Sequence, residues 1–256
     1  MPEPFFRTME VVLPLVARAY GLHVTFRGLE NIPEDGGALV AVNHTSYVDW
    51  YPATLAALRR RRRLRFMLKA EMQNVPGVNF AIKHTKLIPV DRAAGADAYA
   101  VAVQQLQQGE LIGVHPEATI SSSFELMEFK TGAARMASVA DVPIIPVIVW
   151  GAHRTWTKDH PTKLWRNNIH VLTKIGQPLR VVDGVEQATA ELRRTMCEML
   201  EQVQQEYPHP TGAFWVPRRL GGSAPTMAEA LELREAKLAE GARKRAARAA
   251  GAADSA

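Results

Sequence analysis

Gly36-Gly37-Ala38-Leu39-Val40-Ala41-Val42-Asn43-His44-Thr45-Ser46-Tyr47-Val48-Asp49 is the stretch from which the fold can be read. Five apolar residues, 38–42, follow a glycine pair without polar interruption. A run that short and unbroken suits a strand buried on both faces, as in a parallel sheet. Polar residues then replace it, and residues 48–58 take up apolar spacing of helical period.

The same alternation extends in both directions. Residues 23–27, 66–68, 87–90, 111–114, 144–149 and 169–175 read as strands, and residues 98–108, 132–140 and 186–206 as helices. Gly109 stops the first of these helices as a natural C-terminal cap. Strands alternating with helices predict an α/β fold: one layered domain with a mixed, mostly parallel central sheet flanked by helices. Pro146 restricts ladder pairing, so residues 144–149 are expected near an edge or a bend.

Residues 1–27 form an N-terminal segment in which Phe5, Phe6, Met9, Val12, Leu13, Val16 and Tyr20 recur at helical spacing. That helix either packs on the core or faces lipid. Residues 28–220 hold the main domain. From Gly221 a Gly-Gly-Ser-Ala-Pro linker leads into residues 226–250, rich in Ala, Glu, Lys and Arg, expected as a solvated helix fading into a disordered end.

Composition narrows the partners. The 256 residues carry a net charge of +5, with 47% apolar and 22% charged residues. A basic chain favours anionic partners: nucleic acid, an anionic lipid surface or phosphorylated substrates. The single cysteine, Cys197, excludes an intrachain disulfide and fits a reducing cytosol. No leader with a small-residue cleavage site opens the chain. Residues 11–20, the most apolar stretch, span half the length a crossing helix needs and include Arg18. The expectation is a peripheral or monotopic protein on the cytoplasmic face of the cell membrane.

The run Arg59-Arg60-Arg61-Arg62-Arg63-Leu64-Arg65 is the densest charge. A solvated helix end and an anionic-lipid contact both fit it. Nucleic acid is set aside, because no nucleic-acid fold motif or aromatic stacking pattern accompanies the run. Trp150, Trp156 and Trp165 suit either interfacial anchoring or core packing.

Four segments carry chemistry. His44 and Asp49, five apart, lie about 140° apart around a regular helix and would not share a face. They can meet if His44 occupies the strand-to-helix turn and Asp49 the first turns of the helix. The carboxylate then accepts the imidazole Nδ1–H, and Nε2 is left to take a proton from a hydroxyl. A capped turn with an incidental histidine fits the same residues. In Lys86-Leu-Ile-Pro-Val-Asp-Arg92 a strand delivers Arg92 to its end, either to a phosphate or to Asp91. In Val114-His-Pro-Glu-Ala-Thr-Ile-Ser121, Glu117, Thr119 and Ser121 set a carboxylate and two hydroxyls beside backbone amides. Lys130 stands just before a helix N-terminus, where anions are favoured. Residues 144–150 offer an apolar wall or simply core. His84, His115, His153 and His160 lack an acidic partner at the His44–Asp49 spacing and read as structural. No His/Cys cluster has metal spacing, so no metal is expected.

In this order the four segments resemble the blocks of the 1-acylglycerol-3-phosphate acyltransferase (PlsC-like) family of glycerolipid acyltransferases. Asn43-His-Thr-Ser-Tyr-Val-Asp49 is similar to its catalytic block, Ile88-Pro-Val-Asp-Arg92 to the second, Pro116-Glu117 to the third and Val142-Pro-Ile-Ile-Pro146 to the fourth. The likeness covers about residues 28–176 and looks closest to actinobacterial members. It implies catalytic His44 and Asp49, with Arg92, Glu117, Thr119, Ser121 and Lys130 binding substrate. The implied reaction moves an acyl chain from acyl-CoA or acyl-carrier protein, with no cofactor, to 1-acylglycerol 3-phosphate. The implied partners are anionic membrane lipids, acyl-CoA and a phosphorylated glycerol or lysophospholipid acceptor, and no nucleic acid. The third block departs from the pattern: His115 stands for Phe, Ala118 for Gly and Ile120 for Arg. That departure keeps two rivals open, another acceptor (glycerol 3-phosphate, another lysophospholipid or a glycolipid) and a catalytically silent membrane-surface module.

Overall fold

Among the described residues seven strands build one sheet: β1 (Leu22–Arg27), β2 (Ala38–Val42), β3 (Leu64–Lys69), β4 (Ile88–Val90), β5 (Leu111–Val114), β6 (Ile144–Trp150) and β7 (Ile169–Ile175). Their spatial order is β1-β7-β6-β2-β5-β3-β4. Every pair is parallel except β6 with β7. The structure is a computed structural model that describes residues 4–74, 79, 82, 84–91, 95–163 and 168–253, without the side chains of residues 4, 5, 95 and 244–253.

β2 is buried at all five positions, as its unbroken apolar run requires. Period-two alternation sends its residues to two helical layers. Val40 and Val42 pack with Ile145, Val147 and Val149 of β6 and with Ala53, Ala56 and Ala57 of helix α2 (Trp50–Arg59). The helices α3 (Gly95–Gln107), α4 (Gly132–Ala140) and α5 (Val185–Glu206) pack on one another and on β5, β2 and β6. Helix α1 (Pro4–Ala19) buries Leu13 and Ala17 against Tyr51 and Leu55 of α2, while Val11 and Leu15 stay exposed. The core-packing reading of its apolar spacing holds for one face, and the other face is exposed.

β6 corrects one expectation. It lies between β2 and β7, so Pro146 is not at an edge. The bend is real. Ile144 exchanges two 2.8 Å bonds with Leu179, yet the β6–β7 ladder resumes at Val147 opposite Ile175, one residue out of step. Pro146 sits in that break and accepts a bond from the Gly176 N–H at 2.8 Å. A Cβ at Gly176 would come within 2.8 Å of the proline ring, so glycine makes the close approach possible.

The arginine run is spent largely inside this unit. Arg60 pairs with Glu34 at 2.7 Å and Arg63 with Glu10 at 3.5 Å. Arg62 donates to the carbonyls of Pro33, Gly36 and Gly109. Arg65, 1% exposed, reaches Thr85 O and Glu110 and stacks over Phe6. Trp150 is core, Trp156 is exposed, and Trp165 falls outside the described residues.

The chain forms two compact units, Met1–Ile120 with Glu128–Pro208, and Ser121–Met127 with His209–Ala256. The second contains α6 (Met227–Ala253), entered through a reciprocal cap: Thr226 N–H donates to Glu229 at 2.8 Å and Glu229 N–H to Thr226 Oγ1 at 3.3 Å. Arg218 and Arg219 pair there with Glu229 and Glu125. Among the described residues no helix is long and apolar enough to cross a membrane.

Candidate active site

The parallel strands β2, β3 and β5 end at the same edge of the sheet, the edge at which α/β folds collect ligands. His44 follows β2, Lys69 closes β3 and His115 follows β5.

Asn43 secures the turn. Its side-chain amide accepts from Val149 N–H at 2.7 Å and donates to Val149 O at 3.1 Å, continuing the β2–β6 pairing one residue past the strand. Asp49, fully buried immediately before α2, folds the turn around its Oδ2. That oxygen accepts from the backbone N–H groups of Thr45 and Ser46, both at 2.7 Å, and lies 3.4 Å from His44 Nδ1. The pair therefore meets as the spacing argument requires, with His44 in the turn. At 3.4 Å the His44 contact is longer than a good N–H···O bond, as is common before substrate tightens a site. Thr157 Oγ1 donates to Thr45 O at 2.7 Å and Tyr47 N–H to Trp156 O at 3.1 Å, so the loop after β6 braces the same turn.

From the β5 side, Glu117 accepts the His44 backbone N–H at 2.7 Å. Read from sequence as a substrate ligand, this 3%-exposed carboxylate holds the His44 peptide. The next residue, Ala118, adopts φ +55°, the left-handed conformation a glycine takes freely, at a cost of about 1 kcal/mol for a residue with a Cβ. Ile120 is buried.

The other predicted residues divide. Thr119 is half-buried and Lys130 exposed; the Lys130 N–H donates to Pro116 O at 2.9 Å. Ser121 belongs to the second unit, where its hydroxyl lies 3.0 Å from that of Ser123. Arg92 falls outside the described residues.

Two residues at the site went unread. Lys69 is exposed and close enough for its charge to act on His44. A lysine ending a strand at the ligand edge was the signal. His115, expected to be structural, stacks on the His44 ring at 3.9 Å between centroids.

Electrostatics favour a neutral His44. Burial, and then the Lys69 charge, bring its pKa down to about 4, against a small opposing pull from the Ser46 backbone. Burial pushes Asp49 up to about 7, opposed by His115 and by the Ser46 and Thr45 N–H groups. Neutral imidazole is the form able to accept a proton. Among the described residues no group of three or more His, Cys, Asp or Glu could hold a metal ion.

The Acyltransferase family model matches residues 23–150. The chain is 27% identical over 174 residues to the 1-acyl-sn-glycerol-3-phosphate acyltransferase of Bacillus subtilis, covering 68% of this chain and 82% of that one. It is 26% identical over 202 residues to the protein of the same name from Pseudomonas aeruginosa, covering 74% and 75%. Against the chloroplastic LPAT1 of Arabidopsis thaliana the match, 26% identical, covers 58% of this chain and 42% of that protein. The fold is similar to the crystal structure of the 1-acyl-sn-glycerophosphate (LPA) acyltransferase PlsC from Thermotoga maritima, with TM-score 0.64 over 79% of this chain and 84% of that one, at 22% identity.

Proposed function

Given that the chain belongs to the Acyltransferase family, we propose that it transfers a fatty acyl group from an acyl-CoA or acyl-carrier-protein thioester to the free hydroxyl of 1-acylglycerol 3-phosphate. The observation that carries this reading is the buried Asp49 Oδ2 set 3.4 Å from His44 Nδ1. Asp49 orients the ring and steadies the imidazolium. Nε2 takes the proton of the acceptor hydroxyl. The resulting oxygen attacks the thioester carbonyl, the C–S bond of the tetrahedral intermediate breaks, and the thiol leaves with the proton from His44. The products are the new ester and free thiol.

The acceptor phosphate needs a cation. Lys69 supplies one beside His44, and we assign Arg92 and Lys130 to the same task from their sequence positions. Thr119 and Ser121 remain assigned to substrate on the same grounds. Glu117 acts through His44. Lipid substrates also call for access to a bilayer surface. The exposed Val11 and Leu15 of α1, 63% and 60% accessible, support peripheral docking there.

The buried Ile120, where related third blocks carry Arg, favours a second reading with a different acceptor. One assay separates the two: purified protein with palmitoyl-CoA and a panel of lysophosphatidic acid, glycerol 3-phosphate, other lysophospholipids and glycolipids, products identified by mass spectrometry. Phosphatidic acid as the main product, lost in His44→Ala with the fold intact, supports the first reading. Unchanged turnover in His44→Ala would sink both.

A further inference from the structure

The His44 ring does not stand alone. His115 lies flat against it, planes 11° apart, and Phe66 stacks on His115 at 5.4 Å and 26°. The column is built by the strands beneath it. Gly113 precedes His115 by two residues on β5 and pairs across the sheet with Phe66 of β3. A Cβ at Gly113 would stand 2.9 Å from three carbons of the Phe66 ring. The missing side chain is what lets that ring lie over β5 and reach His115.

His115 also holds backbone. Its Nδ1 lies 3.0 Å from Val42 O and 3.2 Å from Asn43 O. Carbonyl oxygens only accept, so Nδ1 carries the hydrogen and donates to both. These carbonyls belong to the two residues immediately before His44. One side chain thus supports the face of the reactive ring and clamps the backbone leading into it. A phenylalanine here could do the first and not the second.

Resting on the reading of His44 as the base, we propose that His115 is a positioning residue for His44: it fixes the ring plane so that Nδ1 stays on Asp49 and Nε2 faces the acceptor hydroxyl. The groups facing this column are Asp49 on the turn, Lys69 from β3 and Glu117 from the loop after β5. Burial, then His44, hold His115 down to about 3 against Asp49 and the two carbonyls. It stays neutral at working pH and takes no part in proton transfer.

Three variants separate clamp from stack. His115→Phe keeps the face and loses the clamp. His115→Asn keeps a donor near the carbonyls and loses the face. His115→Ala loses both. Each is followed by kcat and KM with palmitoyl-CoA and lysophosphatidic acid, by NMR titration of the His44 ring, and by circular dichroism. Expected in His115→Ala are a kcat lower by about 10- to 100-fold, the scale of a misplaced reacting group, KM little changed, and a His44 midpoint raised toward 6.5 as water replaces the ring on its face. The single-loss variants should fall between. Folded variants with wild-type kcat and an unmoved His44 midpoint overturn the proposal. If His115→Ala does not fold, His115→Phe and His115→Asn decide by the same two readouts. If the wild type turns over no thioester, the acyltransferase reading fails by itself and the His44 midpoint alone decides on His115.

Discussion

Glu117 accepts the backbone N–H of His44 at 2.7 Å, joining two segments 73 residues apart in sequence. The bond ties the loop after β5 to the turn after β2, so the His44 backbone is held from two strands at once. Glu117→Gln retains an acceptor oxygen and should lose only a few-fold in kcat. Glu117→Ala leaves a buried N–H without its partner, which costs about 1–3 kcal/mol of stability, and it should lower kcat more than KM. Steady-state kinetics and thermal unfolding of the two variants check this. A rise in acceptor KM alone would instead mark Glu117 as a substrate ligand.

In the proposed reaction the lowered pKa of His44 and the raised pKa of Asp49 both bear on the acid limit. The base acts in its neutral form, so a midpoint brought down to about 4 keeps it active well below the ordinary histidine range. The limb of kcat/KM due to His44 should therefore lie clearly under pH 6.5, whereas loss of the Asp49 carboxylate, pushed up by burial, would set a limb near 7. Lys69 contributes to the depression, so Lys69→Ala should move the His44 limb upward and, if the lysine also holds phosphate, raise the acceptor KM. A limb that stays put in Lys69→Ala would show that burial alone sets it.

Much of this was readable from local pattern. β2, β5, β7 and α4 carry the boundaries expected of them, because glycine, proline or polar residues bracket short apolar runs. The meeting of His44 and Asp49 was also legible, since a helix could not bring them together and a turn could. What escaped depends on pairing between distant strands. Pro146 lies in a central strand because a one-residue register break, invisible in the run 144–150, accommodates it. His115 lacks an acidic partner in sequence, yet the β2–β5 pairing sets it against His44. Lys69 becomes part of the site only because β3 ends beside the same edge.

Helix α1 presents Val11 and Leu15 outward while Leu13 and Ala17 are buried. Exposed aliphatic surface on an amphipathic helix gains free energy by entering the headgroup region. Val11→Asp with Leu15→Asp should reduce co-sedimentation with liposomes containing phosphatidylglycerol and leave turnover of detergent-dispersed substrate intact. Undiminished sedimentation would locate docking elsewhere.

Arg65 is the most buried member of the arginine run. It alternates with Leu64 and Phe66 on β3, a strand flanked on both sides, so its side chain enters the protein. There it donates to Thr85 O at 2.7 Å, pairs with Glu110 at 2.9 Å and lies 5.1 Å from the Phe6 ring centroid, linking α1 to the sheet. Replacing it with Ala strips a partner from a carboxylate and a carbonyl and leaves a void beneath Phe6. The Glu110 carboxylate left behind is partly exposed, so the main loss is the buried bond to Thr85 O and the packing of the arginine itself. Arg61 offers the contrast: it is exposed, with φ +56°, and Arg61→Ala removes no bond to the sheet. Arg65→Ala should lower Tm by several degrees and weaken protection of α1 in hydrogen exchange, whereas Arg61→Ala should leave both unchanged. Equal stability of the two variants would show that the buried contacts of Arg65 contribute nothing to the fold.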